Sequence, residues 1–280
     1  MKIAIVGMGL IGGSFAKAFR QLTNHTVFGI EKDPISSQKA LKMGAVERII
    51  SPEELSEADL TLIALYPEAT ISFALSHRNL FRKGSIVADV CGVKAKVVAA
   101  LDRPFFDAGI RYVGTHPMAG REFSGIDYSL ANLYKGASFI LTPTSLTDPD
   151  AMQTLSNLAL KIGFARTVSA SPEDHDCVIA YTSQLAHVVS NAYVKSPSLK
   201  LESGFSAGSF KDLTRVAKCN PEMWTSLFLD NRRALLNELD NIIFHLNEYR
   251  EALDKNNAEQ LFKLLQKGND LKEWSLQNNR

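Results

Sequence analysis

The sequence predicts an α/β domain built on a parallel sheet, followed by an all-α domain. Three observations predict it. Up to Val168, apolar runs of strand length alternate with helical patterns. A glycine fingerprint, Gly7-x-Gly9-x-x-Gly12, separates the first such run from the first helix. From Ser171 onward no convincing strand recurs and the periodicity is helical.

The elements follow in order. Ile3–Val6 is an apolar run that reads as a buried parallel strand. After it, Gly7 allows a tight turn, Gly9 lets the backbone approach a pyrophosphate, and Gly12 lets the helix pack on the strand. The helix from about Ile11 to Phe19 points its free N–H groups, Leu10 and Ile11 among them, at that anion. A second strand, Val27–Ile30, ends in Glu31, whose carboxylate suits the adenosine ribose hydroxyls and repels a 2′-phosphate. That order defines a Rossmann-type dinucleotide site with NAD as its cofactor. Lys32 beside Glu31 leaves NADP as the alternative. Three spaced glycines interrupt the apolar start, which argues against a secretory signal.

Further strands are expected at Arg48–Ile50, Leu60–Leu65, Ser85–Asp89 and Arg111–Gly114, with Ser138–Thr142 and Ala165–Val168 as late additions to the sheet. Pro34–Met43 and Glu68–Leu80 read as helices between them. Ser171-Pro172-Glu173-Asp174 is a helix start, with a Ser N-cap, Pro at the first position and an acid at the third. The expected domains are therefore 1–168, dinucleotide-binding, and 169–280, a helical substrate-binding and dimerisation domain. Leu235, Leu239, Ile242, Leu246, Tyr249 and Leu253 recur at steps of four and three, an a/d seam. A helical domain this small has little core of its own, so a homodimer through these helices is expected. The polar tail Gln277–Arg280 reads as disordered.

Composition narrows the function. A net charge of +1, from 31 basic and 30 acidic residues, gives no electrostatic case for nucleic acid or an anionic membrane. No apolar run is long enough to span a bilayer. Cys91, Cys177 and Cys219 have neither metal-ligand spacing nor a disulfide framework, so no metal is expected and a reduced, cytoplasmic setting is.

Ligands of open α/β sheets bind beyond the carboxyl ends of the strands. Two segments fall there, Asp89–Lys94 (DVCGVK) and Gly114–Gly120 (GTHPMAG). His116 is expected on a loop flanked by Pro and Gly, and an imidazole pKa of about 6.5 suits proton abstraction. In the helix from Asp176 to Tyr193, Asp176, Ala180, Ser183 and His187 share a stripe with Gln184 beside it, though periodicity alone favours a solvated face. Arg215, at the end of Gly208–Arg215, offers a guanidinium for a carboxylate or an i,i+3 pair with Asp212.

Taken together these segments resemble the prephenate and arogenate dehydrogenases of tyrosine biosynthesis. GTHPMAG, followed by Glu122, is similar to that family's signature. SPEDHDCVIAYTSQLAHV (Ser171–Val188) resembles its HD…SHLPH helix, and FKDLTR (Phe210–Arg215) its F-x-D-x-T-R motif. With the glycine fingerprint, the similarity covers nearly the whole chain. It implies an oxidative decarboxylation. The hydroxyl-bearing carbon of a cyclohexadiene gives hydride to the nicotinamide, His116 takes the hydroxyl proton, and loss of carbon dioxide aromatises the ring. It also implies Arg215 on the ring carboxylate, His187, Ser183 and Gln184 at the side-chain or carboxylate end of the pocket, and Lys94 near the nicotinamide or substrate.

Two departures from the family pattern matter. Gly92 stands where many members carry a Ser that orients the catalytic His, so another group or water must fix the imidazole here. Gln184 and Ala186 replace the usual His and Pro, which leaves prephenate versus arogenate open. Neither a chorismate mutase segment nor a βαββαβ regulatory module is expected, so the resemblance implies a monofunctional enzyme. Two other classes stay in view. A related dehydrogenase of β-hydroxy acids or imines typically uses a Lys in the second domain's first helix, where this chain has none before Lys195. A non-catalytic NAD-binding regulator would not need His116 and Arg215 together.

Overall fold

A computed structural model describes residues 1–121 and 123–278, so Glu122 of the signature segment lies outside the described residues. The chain divides into two compact units, Met1–Asn231 and Arg232–Arg280.

In the first unit, eight strands form one sheet in the order β3-β2-β1-β4-β5-β6-β7-β8. They are β1 (Lys2–Val6), β2 (Thr26–Ile30), β3 (Arg48–Ile49), β4 (Leu60–Ile63), β5 (Ile86–Asp89), β6 (Arg111–Pro117), β7 (Ser138–Thr142) and β8 (Arg166–Ser169). Helices α1 (Leu10–Leu22), α2 (Pro34–Lys42), α3 (Pro67–Ser76), α4 (Ala95–Asp107) and α5 (Pro149–Lys161) connect them. The strand order reverses between β1 and β4, which opens a crevice at their carboxyl ends. Both faces of the sheet are covered, which is why β1 is apolar at every inner position. Ile3 and Ile5 pack with Phe15, Phe19 and Tyr134 on one side. Ala4 and Val6 pack with Val97, Leu101 and Phe105 on the other.

Three expectations change here. The sheet is parallel from β3 to β6, but β7 runs antiparallel to β6, with His116 opposite Ile140. Among its described residues the β6–β7 connection carries only a short 3₁₀ turn at Ile126–Tyr128 and no crossover helix, so the chain returns in the opposite direction. That pairing also lengthens β6 to Pro117, which puts His116 in a strand rather than on a loop. The helix expected over Glu68–Leu80 ends at Ser76 and continues as a 3₁₀ turn at Arg78–Leu80.

The rest of the first unit is helical. It comprises α6 (Pro172–Ile179), a π-helical segment Ala180–Leu185, α7 (Ala186–Tyr193), α8 (Gly208–Thr214) and α9 (Pro221–Asp230). Ser171 caps α6 as its sequence suggests, its Oγ accepting from Asp174 N at 3.0 Å. The single helix expected over Asp176–Tyr193 is instead widened at Ala180–Leu185.

The second unit is a helical hairpin of α10 (Arg232–Asp254) and α11 (Ala258–Asn278). Asn256, at φ +46°, makes the left-handed turn after α10. Of the seam residues, Leu235 is buried, Leu239, Ile242 and Tyr249 are half-buried, and Leu246 and Leu253 are 59% and 64% exposed. Gln277 and Asn278 continue α11 rather than fraying, and Asn279 and Arg280 lie outside the described residues.

Candidate active site

The glycine loop separates into residues the fold needs and one it does not. Gly7 has φ +89°, and a Cβ there would meet Ala64 O at 2.6 Å. A Cβ on Gly12 would stand 1.9 Å from Gly7 O. A Cβ on Gly9 would meet nothing within 4 Å, so the bareness of Gly9 leaves room for something that is not protein. Gly9 caps α1 without a side-chain hydrogen bond, so the N–H groups of Leu10, Ile11 and Gly12 remain for an anion. Beside them, Glu31 Oε2 accepts from Met8 N at 2.8 Å and Oε1 from Asp33 N at 2.9 Å. Lys32 is exposed. An open anion cradle with a fixed carboxylate at the end of β2 fits the pyrophosphate and adenosine ribose of a dinucleotide.

The chemistry gathers at the ends of β5 and β6. Asp89 is fully buried, and its Oδ1 accepts from Cys91 N at 2.9 Å and from the Lys94 ammonium. Its Oδ2 accepts from Tyr112 OH at 2.7 Å. Lys94 is also fully buried and donates a second bond to Thr115 O at 2.6 Å. Lys94 thus lies close to His116, with its ammonium bonded within the protein. Its ammonium points into the protein and joins the ends of β5 and β6 next to His116. Removing one partner of such a buried pair typically costs about 3–5 kcal/mol.

His116 has an internal partner that sequence reasoning missed. Its Nδ1 lies 2.9 Å from Nε2 of His175, and His175 Nδ1 lies 2.7 Å from Asp176 Oδ1. Asp176 is itself held by the start of α4, with Oδ1 accepting from Lys94 N at 2.7 Å and Oδ2 from Ala95 N at 2.9 Å. A carboxylate only accepts, so His175 Nδ1 carries a proton and its Nε2 a lone pair. His116 Nδ1–H therefore donates to His175, and the lone pair of His116 sits on Nε2. Among the described residues no protein group bonds to that Nε2. Burial first, and then the positive charge of Lys94 and the one a protonated His175 would carry, hold the His116 pKa well below the usual imidazole value. The ring is a neutral base with its free lone pair fixed in place.

This answers the question raised by Gly92. A Cβ there would lie 3.8 Å from His116 Nε2 and 3.8 Å from Leu227 Cδ2, ordinary contact distances. The orienting bond comes instead from His175, on the opposite ring nitrogen. The neighbouring Cys91 is inert, because burial pushes its thiol pKa far up.

The remaining site residues lie on the helices. His187 Nδ1 is 3.0 Å from Ser183 O, and its ring stacks on Trp224 with centroids 3.7 Å apart. Leu227, one turn after Trp224 on α9, brings its Cδ2 to 3.8 Å from where a Gly92 Cβ would stand. Ser183 is half-buried. Gln184 is buried, its amide bonded to Leu227 O at 3.2 Å and to Asn231 at 2.9 Å. Arg215 stands exposed at the C-terminal end of α8.

His175, Asn231 and Trp224 were the functional neighbours that sequence reasoning did not single out. His175 had a signal, the HD pair inside Ser171–Val188. Trp224 and Asn231 had none at the level of spacing.

A reaction that moves a hydride and a proton together uses both halves of this sheet edge, the glycine loop and the neutral imidazole. Fold and site thus define a dinucleotide-dependent dehydrogenase. A family model described as the nucleotide-binding domain of prephenate dehydrogenase matches residues 15–168, and the dimerization-domain model of the same enzyme matches residues 171–267. Prephenate dehydrogenase of Bacillus subtilis (strain 168) is 33% identical over 283 residues, covering 97% of this chain and 75% of that protein. The crystal structure of prephenate dehydrogenase from A. aeolicus, in complex with hydroxyphenyl propionate and NAD+, aligns with a TM-score of 0.88 at 31% identity, over 99% of this chain and 98% of that one. Synechocystis arogenate dehydrogenase aligns with a TM-score of 0.82 at 29% identity, over 98% and 99%. The chain belongs to the prephenate dehydrogenase family.

Proposed function

We propose that the chain catalyses the NAD-dependent oxidative decarboxylation of prephenate to 4-hydroxyphenylpyruvate. The observation that carries this reading is the outward lone pair on His116 Nε2, fixed through His175 and Asp176. NAD, when bound, supplies the hydride acceptor, with Gly7, Gly9, Leu10, Ile11 and Gly12 around its pyrophosphate and Glu31 at its ribose. His116 Nε2 takes the proton of the ring hydroxyl as the carbon bearing it is oxidised. The ring carboxylate then leaves as carbon dioxide, and its bonding pair completes the aromatic ring. Arg215 orients that carboxylate through charge-assisted hydrogen bonds. Ser183 and His187 face the side-chain end of the pocket.

Arogenate is the second reading, supported by the likeness to the Synechocystis arogenate dehydrogenase. The two substrates differ only at the side chain, keto against ammonium. NADH formation with each substrate, with NAD and NADP in parallel, tests both readings. A higher kcat/KM with prephenate and NAD is expected. A higher value with arogenate transfers the assignment, and turnover of neither overturns it.

The same reading places the functional boundary at 168/169, supported by the family-model spans, which meet between residues 168 and 171. It makes the chain a homodimer through α10 and α11, supported by the exposed Phe244, Leu246, Leu253, Phe262, Leu271 and Trp274. It sets the enzyme in the cytoplasm, in keeping with three free cysteines. Among the described residues no helix is long and apolar enough to cross a membrane.

A further inference from the structure

We propose that Gln184 and Asn231 form a positioning pair that sets the Trp224–Leu227 face of α9 over His116, so that substrate binding depends on this brace rather than on a contact from Gln184. The inference rests on the functional reading above and deepens it.

Gln184, 2% exposed, lies in the π-helical segment, and Asn231, 6% exposed, closes α9. Asn231 Nδ2 donates to Gln184 Oε1 at 2.9 Å and to Asp176 O at 2.8 Å. Gln184 Nε2 donates to Leu227 O at 3.2 Å. Two amides thus join three things: the backbone of the residue that fixes His175, the widened helical turn, and the last turn of α9. The π-helical turn explains why Gln184 can take part. An added residue in the turn rotates position 184 off the stripe it would occupy in a regular helix.

The braced face of α9 touches the site at two points. Leu227 Cδ2 and His116 Nε2 are both 3.8 Å from the point where a Gly92 side chain would begin. Trp224, one turn earlier and about 5 Å along the helix, stacks on His187. Any shift of α9 therefore changes the space at Gly92, which His116 also borders, and the His187 end together. Gln184 is 2% exposed and bonded within the protein at both ends of its amide, which places it as a brace rather than as a ligand.

The test uses Gln184→Ala, Asn231→Ala and the double variant, each in a Trp274→Phe background so that Trp224 is the remaining one of two tryptophans. Each single change should raise the substrate KM roughly 3- to 10-fold, the scale of one buried hydrogen bond. The KM for NAD should hold. The double variant should be no worse than the worse single, since both act through one bridge. Trp224 emission should change in both singles as the stack on His187 loosens. Gln184→Glu, which keeps the acceptor for Asn231 and loses the donor to Leu227, is the milder variant with the same expected direction.

A rise in KM for Gln184→Ala with none for Asn231→Ala would make Gln184 a substrate contact and overturn the brace. So would additive effects, or a lowered Tm with substrate KM and emission unchanged. If the unmodified enzyme turns over neither cyclohexadienol, the functional reading fails. Trp224 emission then still decides the brace without any substrate.

Discussion

A histidine abstracts a proton only from the ring nitrogen that carries its lone pair, so the catalytic case for His116 rests on its partner. Asp176 fixes the proton of His175, His175 fixes the proton of His116, and Nε2 is left as the base. Replacing His116 by Asn should lower kcat roughly 10²- to 10⁴-fold, the usual scale of general-base loss, with NAD affinity unmoved. A variant with wild-type kcat would end the assignment. Arg215→Ala should instead raise the substrate KM more than it lowers kcat, because it removes binding rather than chemistry. An unchanged KM with a lower Tm would place Arg215 among the structural residues. At this scale the sequence was legible where a motif is contiguous, as in GTHPMAG. It was not legible where bonds join distant positions. His175 is 59 residues from His116, and only the folded sheet brings them together. The partners of Lys94 were not legible for a related reason. Its position after β5 marks it as near the site, but the direction of its side chain is set by buried Asp89.

Elements carry the next level of the argument, and the loop between β1 and α1 is the sharpest case. Gly12 is required by the packing of the protein itself, whereas a Cβ on Gly9 meets nothing within 4 Å, which fits the proposed cofactor. Gly12→Ala should lower both Tm and NAD binding, since its Cβ would overlap Gly7 O. Gly9→Ala should leave Tm close to wild type while raising the KM for NAD, because nothing in the protein stands within 4 Å of the added methyl. Thermal melts beside cofactor titration read both. Equal losses of Tm in the two variants would mean that the space at Gly9 is not a ligand's. The β-α alternation and the acid at the end of β2 were visible in the sequence, because period and order encode them. The antiparallel β7 was not, because strand direction depends on whether a crossover helix intervenes. The π-helical turn was hidden as well, since a regular period was assumed across Ala180–Leu185.

The whole molecule adds a question of boundaries and of association. Sequence character changes near residue 169, yet the compact units part at Asn231 and Arg232. The reason is physical. Asp176 caps the start of α4 and His175 bonds to His116, so α6 is tied to the sheet domain although its composition belongs with the helices. The hairpin of α10 and α11 buries only Leu235, Ala252 and Leu264 among its described residues, too few for a core. The chain should therefore sediment at twice its 30.8 kDa. Leu253→Glu, which charges an exposed seam position, should shift it toward the monomer. A wild-type monomer at assay concentration would contradict the proposed interface.

The pH dependence of kcat/KM for NADH formation from prephenate tests the central claim most directly. His116 must be neutral to act, and its pKa is held below the ordinary value, so protonation removes activity only on the acid side. The profile should be level through neutrality and fall along a single acidic limb below about 6.5. His175→Asn, which removes the acceptor holding the His116 Nδ1 proton, should lower kcat/KM while the limb stays on the acid side. A wild-type limb at or above the ordinary imidazole value, or wild-type kcat/KM in His175→Asn, would contradict the account.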